Sequence, residues 1–242
     1  MSTIADRLAL MRTRITQAAN AAGREPTSIM LLAVSKTQPV ADLEAALAAG
    51  QTALGESYLQ DALPKIEALG DQVEWHFIGP IQSNKTRQIA AHFDWVHSVD
   101  RIKIAQRLNE QRPRGLPPLN VCLQVNTSGE AAKAGILPAG TRALAEAVSM
   151  LPHLKLRGLM TIPARELDPA RQRQPFHQLR SLFEQLNTDG FNLDTLSMGM
   201  SNDMEAAIAE GATLLRIGTA IFGPRRASTT DHPGEKQSTD KI

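Results

Sequence analysis

Short apolar runs alternate with amphipathic stretches eight times along this chain, and that alternation restricts the fold to the α/β class with a parallel sheet. The runs fall at residues 29–36, 52–55, 74–79, 94–99, 119–125, 154–162, 195–198 and 212–217. The first is apolar throughout rather than alternating, the mark of a parallel strand covered on both faces. Between the runs, apolar residues spaced by three and four predict helices. Val40, Leu43 and Leu47 follow the first run, Ile104 and Leu108 the fourth, Leu144, Val148 and Leu151 the fifth, and Phe176, Leu179, Phe183 and Leu186 the sixth. A further helix over residues 3–22, with Ile4, Leu8, Met11 and Ile15 on one face and Gly23 as its stop, precedes the first strand.

A chain of 242 residues with 42% hydrophobics can bury one large core. Eight strand–helix units with no second compositional block predict a single (β/α)8 TIM barrel over residues 1–225. A doubly wound open sheet is the alternative, but no Gly-x-Gly-x-x-Gly follows the first strand. Pro64 is expected to kink or break the helix over residues 58–69, the fourth helix to start near Ser83, and Asp100 to cap the helix after the fourth strand. Residues 226–242 carry almost no apolar side chains and are expected to form a disordered tail.

Other features exclude whole classes of function. Lys plus Arg number 26 against 25 Asp plus Glu, and no basic run is interleaved with aromatics, which argues against a nucleic-acid ligand. Cys122 is the only cysteine, so no intramolecular disulfide forms; it reads as a small core residue. No signal-like or membrane-length apolar stretch occurs, and the expectation is a soluble, cytoplasmic protein without a membrane partner.

Chemistry enters at the strand ends. The first run closes on Lys36, where an apolar mouth disfavours the charged amine and leaves a nucleophile toward aldehydes. Lysines in such positions commonly extend their amine to water, so this one needs further support. After the seventh and eighth strands, the two positions that build phosphate sites in barrels, come Ser197-Met198-Gly199-Met200-Ser201-Asn202-Asp203 and Arg216-Ile217-Gly218-Thr219-Ala220. Glycines let backbone amides approach an anion, Ser201 and Thr219 add hydroxyls, and both are expected where a helix begins. Ordinary N-caps and turn glycines are the simpler account of each segment taken singly. Arg216 interrupts the apolar run Leu214-Leu215-Arg216-Ile217, and period-two alternation places it with Leu214 and Gly218 on one face. An aldehyde-reactive lysine, an anion cradle and an arginine facing a ring nitrogen together describe a pyridoxal 5'-phosphate site. His76, with no partner nearby in sequence to mark it as a base, reads as a hydrogen-bonded core or mouth residue.

The segments Leu32-Ala33-Val34-Ser35-Lys36-Thr37, Trp75-His76-Phe77-Ile78-Gly79-Pro80-Ile81-Gln82-Ser83-Asn84-Lys85, Arg157-Gly158-Leu159-Met160, Ser197 to Ile208 and Arg216 to Gly223 closely resemble the pyridoxal-phosphate homeostasis protein family. They occur in family order and cover the chain apart from its tail. The resemblance implies a barrel like the N-terminal domain of alanine racemase, with Lys36 as the Schiff-base lysine. Ser201, Gly218 and Thr219 would hold the phosphate and Arg216 would face the pyridine nitrogen. One departure is visible: the family's usual Gly-Glu-Asn-Tyr reads Gly55-Glu56-Ser57-Tyr58 here, shortening the side chain at position 57. The resemblance favours a non-catalytic carrier that supplies the cofactor to apo-enzymes. A pyridoxal-phosphate-dependent racemase-like enzyme and a cofactor-free Schiff-base aldolase are the alternatives.

Overall fold

The computed structural model describes residues 2–130, 133–166 and 168–224; the tail expected over residues 226–242 lies outside the described residues. The strands are β1 (Met30–Val34), β2 (Ala53–Glu56), β3 (Glu74–Phe77), β4 (Trp95–Val99), β5 (Leu119–Gln124), β6 (Leu154–Met160), β7 (Thr195–Ser197) and β8 (Leu214–Ile217). They pair in parallel in chain order, and β8 returns to β1 with Leu32 opposite Arg216, closing the barrel. The helices are α1 (Ile4–Ala21), α2 (Val40–Ala48), α3 (Leu59–Leu69), α4 (Thr86–His92), α5 (Ile102–Gln111), α6 (Thr141–Ser149), α7 (Pro169–Thr188), α8 (Met204–Ala209) and α9 (Thr219–Phe222). The α/β TIM barrel expected from the alternation is therefore the fold.

The strands divide their side chains between two cores. Leu215 and Ile217 of β8 join the large apolar layer between sheet and helices, whereas Leu214 packs inside the barrel with Leu32 and Ala53. Trp95, Cys122 and Met160 form a second interior cluster. Each fully buried leucine or isoleucine in these layers contributes roughly 1.5–3 kcal/mol. Burial in that interior pushes the Cys122 thiol up to about 12, so it stays protonated and serves as packing.

Three local expectations are corrected. Helix α3 continues through Pro64 without a break, and the proline is exposed. Asp100 does not cap α5: its Oδ1 accepts from Arg101 Nη1 at 2.6 Å, and Arg101 takes the capping position with no side-chain cap bond. Helix α4 starts at Thr86 rather than near Ser83, because residues 82–85 form a turn closed by Lys85 N–H to Gln82 O at 3.0 Å.

Helix α1 packs on α8 and α9 and so fixes the loops after β7 and β8. Arg24 Nη1 donates to Ile208 O in the last turn of α8 at 2.9 Å and to Ala212 O just before β8 at 2.7 Å. Arg7 Nε donates to Ile221 O of α9. Among the described residues no helix is long and apolar enough to cross a membrane.

Candidate functional site

The C-terminal ends of the strands open into a cavity of about 920 Å³, and Lys36, Ser201, Arg216, Gly218 and Thr219 all line it. Lys36 lies two residues beyond β1, half-buried, on the face that alternation assigns to Leu32 and Val34. It is the only lysine among the described residues lining the cavity. Lys133, in the loop after β5, is exposed and does not line it.

Arg216 enters from β8 and is 4% exposed. Its Nη1 donates to Ser197 Oγ and its Nη2 to Thr161 O, each at 2.7 Å. Burial lowers its pKa to about 10, with Asp203 acting in the opposite sense, so the guanidinium remains cationic at neutral pH. Ser197 Oγ lies 2.8 Å from His97 Nδ1, and His97 Nε2 lies 2.9 Å from His76 Nδ1. His76 also stacks on Trp95 at an interplanar angle of 8°. Burial lowers the pKa of both imidazoles, and His76 belongs to the barrel interior rather than to the cavity wall.

The opposite wall is made by the loops after β7 and β8. Gly199 has φ +95°, and a Cβ there would stand 2.6 Å from Ala207 Cβ, so both conformation and packing demand glycine. At Gly218 a Cβ would meet Val34 O at 3.2 Å and Val34 Cβ at 3.3 Å. That glycine serves the approach of β1 as well as any ligand. Neither Ser201 nor Thr219 caps a helix: Asp203 is the N-cap of α8, Gly218 that of α9, and Ser201 sits in the turn three residues before α8. Their hydroxyls have no hydrogen-bond partner among the described residues. Helix α9 is a single turn, so the donors of this wall are hydroxyls and loop amides rather than a helix dipole. Asp203 Oδ1 accepts the Met200 N–H at 2.5 Å and holds the loop in shape. Burial raises the Asp203 pKa, while the Met200 amide and Arg216 act to lower it.

Sequence reasoning missed several lining residues. Arg14 reaches the cavity from α1 and pairs with Glu205 at 2.6 Å; its place on the polar face of an amphipathic helix gave no signal. Gln38, Ile162, Met200 and Glu166 complete much of the rim. Ser57 lines the cavity, whereas Tyr58 is 54% exposed and does not.

A closed parallel barrel with such a polar cavity at the C-terminal ends of its strands is a small-molecule-binding α/β barrel domain. The family model described as alanine racemase, N-terminal domain, matches residues 7–226. The chain is 62% identical over 226 residues to a pyridoxal phosphate homeostasis protein of Pseudomonas aeruginosa, covering 93% of this chain and 97% of that one. It is 53% identical over 229 residues to the protein of the same name from Escherichia coli, covering 93% and 98%. Among solved structures, PipY of Synechococcus elongatus with PLP bound aligns with a TM-score of 0.79 at 38% identity, covering 91% of this chain and all of that one. Alanine racemase from Corynebacterium glutamicum shares the fold, with a TM-score of 0.67 at 17% identity over 95% of this chain and 63% of that one. The chain belongs to the pyridoxal phosphate homeostasis protein family.

Proposed function

We propose that the barrel binds pyridoxal 5'-phosphate in the mouth cavity and supplies it to apo-enzymes in the cytoplasm, without turning over amino acids itself. The observation that carries this is the convergence of Lys36, Arg216 and the hydroxyls of Ser201 and Thr219 on one cavity. The donor set fits the group: two hydroxyls without partners among the described residues suit a phosphate, and the guanidinium suits a ring-nitrogen acceptor. The names of the relatives and the ligand of PipY support the same choice. When bound, the cofactor would supply an aldehyde able to react with one unprotonated amine.

Lys36 would provide that amine, Ser201, Gly218 and Thr219 would hold the phosphate, and Arg216 would face the pyridine nitrogen. With a pKa of about 10, Arg216 keeps its proton at neutral pH and leaves the nitrogen unprotonated, which weakens the electron sink that amino-acid chemistry requires. The chain's sole tyrosine, Tyr58, lies outside the cavity wall, so it offers no acid–base partner to Lys36.

The test is to incubate the cofactor-loaded protein with L- and D-amino acids, following racemisation, transamination and decarboxylation, and in parallel with an apo-enzyme whose activity reports delivery. Delivery without turnover is expected. Robust turnover of an amino acid that disappears in Lys36→Ala would replace the carrier by a racemase-like enzyme, and absence of any absorbance change on adding the cofactor would remove the site assignment.

A further inference from the structure

The residues on either side of Lys36 are held by a charged cluster, buried at Lys65 and Glu56 and partly exposed at Asp61, that does not line the cavity. Lys65 of α3 is 3% exposed, and its Nζ donates to Ser35 O at 3.0 Å, Glu56 Oε1 at 2.9 Å and Asp61 Oδ2 at 2.7 Å. An ammonium has three N–H donors and no acceptor, so these three bonds use its whole capacity. Ser35 is fixed twice more, through its N–H to Gly55 O at 2.9 Å and its Oγ to Glu56 Oε1 at 2.6 Å. On the other side, the Thr37 N–H donates to Asp61 Oδ2 at 2.8 Å, and Thr37 has φ +63°. A β-branched residue is strained in that region and persists there only where its surroundings impose it.

A buried ion cluster is a poor way to gain stability, because desolvation offsets most of the attraction and apolar packing would join α3 to β1 as well. Its geometry is the more informative feature. One side chain grips the carbonyl before Lys36 and one carboxylate grips the amide after it, while the two are joined to each other one turn apart on α3. We propose that Asp61 and Lys65 are positioning residues for Lys36, fixing the turn after β1 so that its amine is presented to the aldehyde of the ligand. This rests on the assignment of pyridoxal phosphate to the cavity.

The experiment compares two ligands titrated into the apo full-length protein: pyridoxal phosphate, which has the aldehyde, and pyridoxine 5'-phosphate, which carries an alcohol there and cannot condense with an amine. In Asp61→Ala the apparent affinity for pyridoxal phosphate is expected to fall on the order of tenfold through lost preorganisation, while that for pyridoxine 5'-phosphate stays at the parent value. Asp61→Asn, which keeps an acceptor for the Thr37 amide, should stay within about threefold of the parent for both ligands. Lys65→Met removes the tie to Ser35 and takes the place of Asp61→Ala should that variant not fold, with the same selective loss expected. Equal losses for the two ligands, or none for either, would overturn the positioning role. A parent protein that binds neither ligand would instead remove the cofactor assignment.

Discussion

Arg216 Nη1 donates to Ser197 Oγ at 2.7 Å inside the barrel, and that same oxygen stands 2.8 Å from His97 Nδ1. Because a guanidinium only donates, the arrangement that satisfies Arg216, Ser197 and His97 has the Ser197 hydroxyl donating to His97 Nδ1 and His97 Nε2–H donating to His76 Nδ1. The remaining His76 Nε2–H then lies 3.6 Å from Glu74 Oε2, too far for a hydrogen bond, near the other end of the barrel. A polar thread thus connects the cavity wall to the barrel floor and fixes the plane of the guanidinium.

Ser197→Ala deprives one Arg216 N–H and His97 Nδ1 of a partner in a fully buried setting. Each orphaned group costs about 1–3 kcal/mol, so urea denaturation at neutral pH should show a lower unfolding free energy with an unchanged slope. A variant as stable as the parent would mean that the thread does not hold Arg216 in place.

The barrel was legible because each strand appears as an apolar run, and Lys36 and Arg216 were legible because each is a charge set in such a run. The partners of both were not. His76, His97 and Ser197 meet only through the closure that brings β3, β4 and β7 together, and His97 and Ser197 are 100 residues apart. Asp61 and Lys65 look like a solvated pair on a helix face; what buries Lys65 is the carboxylate of Glu56 on β2, invisible to helical periodicity. The helix starts near Ser83 and Asp100 failed because turn closure and a local ion pair decided them.

Lys36→Ala should abolish borohydride-stable attachment of pyridoxal phosphate, read as the intact mass after reduction. Label retained on another lysine, with Lys133 the first to map, would contradict the assignment.

Ser201→Ala and Thr219→Ala each remove one hydroxyl donor from the loop wall. A hydrogen bond to a charged group is worth about 1.5–3 kcal/mol, so affinity for pyridoxine 5'-phosphate should fall roughly tenfold or more in each. Gly218→Val is a less selective test, since its side chain would press on Val34 as well as on a ligand. Titration curves of both alanine variants superimposing on the parent's would remove the phosphate from this wall.

Glu56 makes a prediction in the opposite direction from that of most acidic residues. Burial raises its pKa from 4.5 to about 7, against the lowering effects of Lys65 and the Ser35 hydroxyl, and its Oε2 has no partner among the described residues. Across that interval the folded state holds the proton more tightly than the unfolded chain does. Its stabilising contribution is therefore complete below about pH 4.5 and is lost as pH rises through about 7, with a slope of at most about 1.4 kcal/mol per pH unit. The buried imidazoles of His76 and His97 act in the reverse sense, because their lowered pKa values favour the folded state as pH rises toward 6.5. Total stability against pH therefore mixes the two effects, and the difference between Glu56→Gln and the parent isolates one of them. Glutamine keeps an acceptor for Ser35 and Lys65 but does not ionise, so the variant should gain on the parent steadily between pH 5 and 7 in denaturant titrations. Parallel stability curves for the two proteins over that range would show that Glu56 keeps its charge in the folded state, and that its ion pair with Lys65 outweighs the burial.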